Sequence, residues 1–306
     1  MVGYLFLFIA VLTGVAKGYC GKKTSEYVSS ITDGVILQST RLILCVIIGL
    51  CLFLFSGIQS NIDSTILIIS ILNGIANAAF LLSWLFAVKS GAYLFVDICL
   101  TAGGIMLPCM CDALLLGGII TPIQYIGIVI MIFAVLVMNS YNFTVTKKKV
   151  TFGNILLLAC VALSNGIMGF CAKLFAYHKS MVDINCDLSA FSLLTFLFAC
   201  ILLLIALSII CKIQKAKIKD CVKSFPFKKL WVYLVLIALF LFFNSYLTTL
   251  TNTYIENTVL IYPLQFGSNL ILSAIMAVTI FKEKINFRSI LGMVLITVSI
   301  ILINVI

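Results

Sequence analysis

Apolar runs of about twenty residues, separated by short polar connectors, recur from one end of the chain to the other. An α-helix rising 1.5 Å per residue needs about 20 apolar residues to cross roughly 30 Å of hydrocarbon. Cutting at the polar connectors therefore predicts ten helices, over residues 2–20, 34–56, 64–88, 92–116, 122–141, 151–177, 188–211, 229–251, 257–280 and 287–306. The runs are continuous rather than alternating, and isolated strands facing lipid would leave backbone groups unpaired, which argues against a barrel. The first run has neither a basic flank nor a convincing cleavage site and reads as a retained span.

Composition fixes the class. Of 306 residues, 63% are hydrophobic and 10% charged, far from the roughly one-quarter charged make-up of soluble domains. The expected fold is an all-α polytopic membrane protein, embedded in lipid and with the plasma membrane as its expected location. The net charge of +10 does not point to nucleic acid, because the lysines cluster in short connectors, where they read as membrane orientation and headgroup contact. They crowd the odd-numbered connectors, which the positive-inside rule puts in the cytoplasm with both termini outside. The twelve cysteines are scattered, mostly inside apolar runs, and a single His178 gives the nearby Cys109 and Cys111 no ligand company, so neither a metal site nor a cofactor is expected.

The two halves echo one another. LTGVAKGYCGK (Leu12 to Lys22) aligns with LSNGIMGFCAK (Leu163 to Lys173) at an offset of 151 residues. LGGIITPIQYIG (Leu116 to Gly127) aligns with FKEKINFRSILG (Phe281 to Gly292) at an offset of 165, pairing Gly118 with Glu283 and Gly127 with Gly292. The charged connector TVTKKKVT divides the chain into a first repeat over 1–143, a linker over 144–150 and a second repeat over 151–306. Five spans per half means that the copies run in opposite directions, so ten transmembrane helices in two inverted five-helix repeats are expected.

With FKEKINFRSILGMVLITVSIILIN as its best-matching segment, the chain resembles the drug/metabolite transporter superfamily, in particular its EamA-like members of ten helices in two domains. LGGIITPIQYIGIVIMIFAVLVMN keeps the turn and glycine but has Gly118 where the family often has glutamate, and Gln38 to Arg41 and AVKSGAYLFVD also resemble the family pattern. The resemblance implies a basket of the first, third, fourth, sixth, eighth and ninth helices around a solute, with the fifth and tenth peripheral. It also implies both termini inside, opposite to the lysine distribution. For Glu283 in its dense polar turn, a capping and charge-pairing role between two helices is the expectation.

Polar side chains are costly in hydrocarbon and face protein or a wet cavity. In the fourth span Tyr93, Asp97, Thr101, Gly104 and Pro108 share one helical face; in the ninth, Thr258, Tyr262, Gln265, Asn269 and Ser273 do the same. The third span adds Asn73, Asn77 and Trp84, the eighth Asn244, Thr248 and Asn252. The candidate set for binding or coupling is Asp97, Tyr93, Trp84, Asn77, Thr101, Tyr262, Gln265, Asn269, Glu256 and Arg41. Asp97 beside an aromatic suits an ammonium or a transferable proton, or else pairs with Lys89 or caps its own helix. Glu256 is either a second acid or a first-turn residue favoured by the helix dipole. Arg41 needs an acidic or carbonyl partner or a substrate carboxylate, Pro108 and Pro263 bend their helices, and Lys17 is expected to reach the membrane surface.

These features favour a secondary transporter of a small organic solute (an amine, amino acid or related metabolite), with protons as a candidate partner and alternating access as the mechanism. A facilitative exchanger of sugar or nucleotide-sugar type and a non-transporting assembly partner are the alternatives. No phosphate-binding loop points to ATP. An enzyme is not expected: Asp97 and Asp112 stand about 22 Å apart along one helix, too far to share a proton.

Overall fold

The computed structural model describes residues 2–56, 62–115, 121–146, 151–182, 188–255 and 258–304. Its elements are α1 (Val2–Ser25), α2 (Ile31–Phe55), α3 (Ser64–Ser90), α4 (Tyr93–Leu115), α5 (Pro122–Thr146), α6 (Phe152–Val182), α7 (Leu188–Ile213), α8 (Ile218–Ser224), α9 (Phe227–Tyr254), α10 (Thr258–Thr279) and α11 (Phe287–Asn304). Among the described residues six helices, α1, α2, α3, α6, α7 and α9, are long and apolar enough to cross a membrane. The protein is an all-α polytopic membrane protein. Its outer surface carries side chains such as Phe8, Val129 and Trp231, each more than half exposed, as expected where lipid is the solvent.

Local chemistry sets the helix ends. α2 starts three residues before the predicted boundary because Ser30 and Asp33 form a reciprocal capping box. α3 is capped by Asp63, whose Oδ1 accepts from the Ile66 amide at 2.8 Å; its Oδ2 lies 2.7 Å from His178 Nε2 near the end of α6. α8 is a short helix inside a lysine-rich connector whose sequence predicts no element. It is followed by Phe225, which is buried in a cluster that includes Val28, Val35 and Leu230.

Two further capping boxes are related to each other. At the head of α5 the Thr121 amide donates to Gln124 Oε1 (2.9 Å) and the Gln124 amide to Thr121 Oγ1 (3.4 Å). At the head of α11 the Asn286 amide donates to Ser289 Oγ and the Ser289 amide to Asn286 Oδ1, both at 3.0 Å. The second box lies 165 residues after the first. The two helices they open pack antiparallel: Gly127 sits against Ile303, and Gly292 against Met138. Adding 165 to Gly127 and subtracting 165 from Ile303 turns the first contact into the second, a reciprocal pairing of the kind an isologous contact makes.

The other principal packings also join a helix before residue 147 to one after 151: α1 with α9, α3 with α6, α2 with α7, and α4 with α6. The halves interlock rather than stand side by side. They do not interlock evenly, since α4 packs along α6, and α3 along α7, more extensively than α10 along α1 and α9 along α2. The α4–α6 crossing is close because Gly103 meets Gly166: a Cβ on Gly166 would lie 2.6 Å from the Gly103 carbonyl oxygen and 2.5 Å from Leu107 Cβ, inside any tolerable contact. Small residues at such crossings let dispersion contacts hold helices where no hydrophobic effect operates.

Candidate functional site

A cavity of about 110 Å3 lies inside the bundle, walled by residues of α1, α2, α3, α4, α6, α9 and α10. That is several times the roughly 10–15 Å3 needed to admit one water. Its wall brings together eight of the ten candidates: Asp97, Tyr93, Trp84, Asn77, Tyr262, Gln265, Asn269 and Arg41. Thr101 is fully buried one turn beyond Asp97, off the cavity wall, with its hydroxyl unpartnered. Glu256 lies outside the described residues, as do Gly118 and the side chains of Asp112, Thr258 and Pro263.

Aromatic and amide contacts shape the wall. Trp84 and Tyr93 meet edge-on at 6.5 Å, and Tyr93 leans on Phe281 at 5.1 Å. Tyr262 donates to the Gly169 carbonyl at 2.5 Å and receives the Asn252 amide at 3.3 Å. Gln265 donates to Thr248 Oγ1 at 2.8 Å, joining α10 to α9. Asn165 donates to the Leu100 carbonyl at 3.0 Å, joining α6 to α4.

Three formal charges face the space. Asp97 is 8% exposed and Arg41 1% exposed. Arg41 Nη1 donates to Gln38 Oε1 at 2.5 Å, and Gln38 Nε2 in turn donates to the Leu81 carbonyl at 2.9 Å, so α3 braces the guanidinium through Gln38. Lys17 does not reach the membrane surface as its sequence suggested. Its Nζ donates to Asn244 Oδ1 at 3.1 Å and lies 5.7 Å from the centre of the Phe80 ring. The reason is helical phase: Gly14, Lys17, Gly18 and Gly21 share one face of α1, and that face is turned inward.

Asp97 forms no pair with Lys89, which instead donates to the Val28 carbonyl. Nor does it cap α4. That task falls to Glu283: Oε1 accepts the Tyr93 amide at 2.7 Å, Oε2 the Leu94 amide at 3.4 Å and the Tyr141 hydroxyl at 3.3 Å. The polar turn before α11 thus caps a helix of the other half. Lys282, at φ 54°, turns the chain so that Glu283 points there, with the Glu283 amide bonded to the Ala277 carbonyl at 2.9 Å.

Five wall residues carry a buried polar atom with no protein partner: Asp97 Oδ2, Arg41 Nε, Asn77 Oδ1, Gln265 Oε1 and Asn269 Oδ1. Each would cost about 1–3 kcal/mol if kept dry, so the wall is made for water or a polar guest. Among the described residues no group of three metal-ligating side chains occurs.

An apolar helical bundle enclosing a charged, hydrogen-bonding cavity defines a polytopic membrane protein with a polar interior space. Residues 152–305, half of the chain, match the EamA-like transporter family, and the protein belongs to that family. None of the curated proteins matches it. Among solved structures, where 27 chains match, one described as "Crystal structure of protein" has a TM-score of 0.65 at 13% identity, over 99% of this chain and 96% of its own. That likeness is one of fold.

Proposed function

We propose that the protein is a secondary active transporter, in the plasma membrane, for a small organic solute of the size of an amine, an amino acid or a related metabolite. Ten of its helices, all but α8, cross the bilayer as two oppositely inserted five-helix repeats, and the cavity opens alternately to either side. Asp97 carries a proton in the coupling. The observation that carries this reading is the polar cavity itself, enclosed by both halves of a chain that belongs to a transporter family.

The reciprocal Gly127–Ile303 and Gly292–Met138 contacts support the inverted repeat. So does the packing, in which α1 with α9 has α6 with α3 as its counterpart. The uneven closure supports a two-state gate: the tight α4–α6 and α3–α7 seams match one closed side, their looser counterparts the side that would open. Uptake by purified protein in liposomes, with and without a pH gradient, tests the reading. Saturable counterflow, accelerated by the gradient in the parent and not in Asp97→Asn, is the expected result; equal gradient response in both rules out the coupling role, and no flux across a broad solute panel rules out transport.

A further inference from the structure

The charges in the cavity do not balance. Its ionisable wall residues, tyrosines aside, are Lys17, Arg41 and Asp97, two cations and one carboxylate. They come from α1, α2 and α4, and among the described residues no ion pair within 4.0 Å joins Asp97 to either cation. Lys17 is held by a neutral amide and an aromatic face. Arg41, almost wholly buried, keeps its Nε without a protein partner.

A buried guanidinium that lacks a counter-charge is costly, and the cost is relieved by whatever brings a negative group to it. The Gln38 brace fixes the plane of this guanidinium, and its fork of donors matches a carboxylate or phosphate better than any neutral acceptor. An ammonium entering here would meet two like charges and a single opposite one. A zwitterion would leave the surplus positive charge where it was.

Asp97 Oδ2 adds a further preference. Ser273 bonds the carboxylate, but Oδ2 accepts hydrogen bonds and has no protein donor, so a guest that supplies a donor is favoured there. The side-chain amides of Asn77, Gln265 and Asn269, each with its oxygen unpartnered, offer hydrogen-bonding groups to the guest and impose no charge.

We propose that the solute is a small hydroxylated organic anion, its carboxylate or phosphate held between Lys17 and Arg41 and a hydroxyl donated to Asp97. This rests on the transport reading above, which left the solute's charge open, and it displaces the simple amine that the carboxylate of Asp97 alone would suggest.

An isosteric series isolates charge from shape: L-lactate, L-alanine, 1-amino-2-propanol and 1,2-propanediol, with glycerol 3-phosphate as the phosphate arm. Thermal stabilisation of the purified full-length protein in detergent is read at saturating concentrations. Lactate or glycerol 3-phosphate, or both, should raise the melting temperature, and the one that does so identifies carboxylate or phosphate as the group read. The amine and the diol should not. Arg41→Gln and Lys17→Gln should each weaken the response to the anion about 30-fold or more, the usual consequence of removing one member of a buried charge pair.

Stabilisation by 1-amino-2-propanol or alanine equal to that by the anions overturns the proposal, as does a flat response to all five. If the variants fold poorly, the parent protein's response across the series still decides. Counterflow separates the two readings. Anion-selective stabilisation without flux leaves the charge assignment standing and removes transport; saturable flux of amines alone does the reverse.

Discussion

Replacing Glu283 by alanine should destabilise the protein through a helix that Glu283 does not belong to. Its carboxylate accepts two amides from the first turn of α4, at 2.7 and 3.4 Å, and the hydroxyl of fully buried Tyr141 on α5 at 3.3 Å. Losing an N-cap costs about 0.5–2 kcal/mol, and losing negative charge at a helix N-terminus about 0.3–1 kcal/mol. Because these overlap in one group, Glu283→Ala should cost about 1–2 kcal/mol, with Glu283→Gln falling between it and the parent. Tyr141→Phe removes only the hydroxyl bond at 3.3 Å and should cost about 0.5–1 kcal/mol. The double variant should be little worse than Glu283→Ala, since the hydroxyl has already lost its acceptor. Reversible SDS titration in mixed micelles gives these differences, with the exposed neighbour Lys284→Ala as control. A Glu283→Ala effect no larger than that control, or single effects that simply add, would refute the cap.

Gly166→Ala should be among the more damaging small substitutions, because its methyl would press on the Gly103 carbonyl and force α4 from α6; overpacking of this kind costs about 1–3 kcal/mol. Gly153→Ala, where the nearest atom to a new Cβ is 3.9 Å away, is the matched control in the same SDS titration. Asp63 is held below the usual carboxylate range by the Ile66 amide and by His178. A depressed folded-state pKa contributes stability that is present above about 3.9, the unfolded value, and is lost as pH falls through the folded one. Stability measured from pH 6 downward should therefore decline on the acid side, and Asp63→Asn should flatten that limb while lowering stability at neutral pH.

Much of the fold is written in the spacing of apolar runs, because a bilayer of fixed thickness imposes one length on every span. Helix boundaries are legible only where a cap announces them. Ser30 and Asp33 carry that signal, but they stand ahead of the apolar run by which a span is recognised. α8 is not legible, since seven residues of mixed charge have no periodicity to detect.

Tyr93 and Asp97 of the fourth predicted helix and Tyr262, Gln265, Asn269 and Ser273 of the ninth line the cavity, because a polar face within hydrocarbon has only protein or enclosed water to turn towards; Thr101 of the same stripe is buried off its wall. Lys17 needs one step more: a lysine at a span's end reaches the surface, but three neighbouring glycines on its own face mark that face as packed against protein. Glu283 shows its capping chemistry in sequence and hides its target, which lies 190 residues away on α4. No single-chain pattern encodes a partner that distant, whereas the 165-residue echo between the α5 and α11 heads is visible through residues such as Gly127 and Gly292, although the capping residues themselves differ in type.

The central claim is that both sides of the membrane gain access to one cavity. Ser245 on α9 lines it, and Ser245→Cys in a background cleared of native cysteines can be challenged with a membrane-impermeant thiol reagent from either face of sealed, oriented vesicles. Alternating access predicts labelling from both faces, slowed from both by a solute that the cavity binds. Labelling from neither face, or from one face alone under every solute and pH condition, would contradict it.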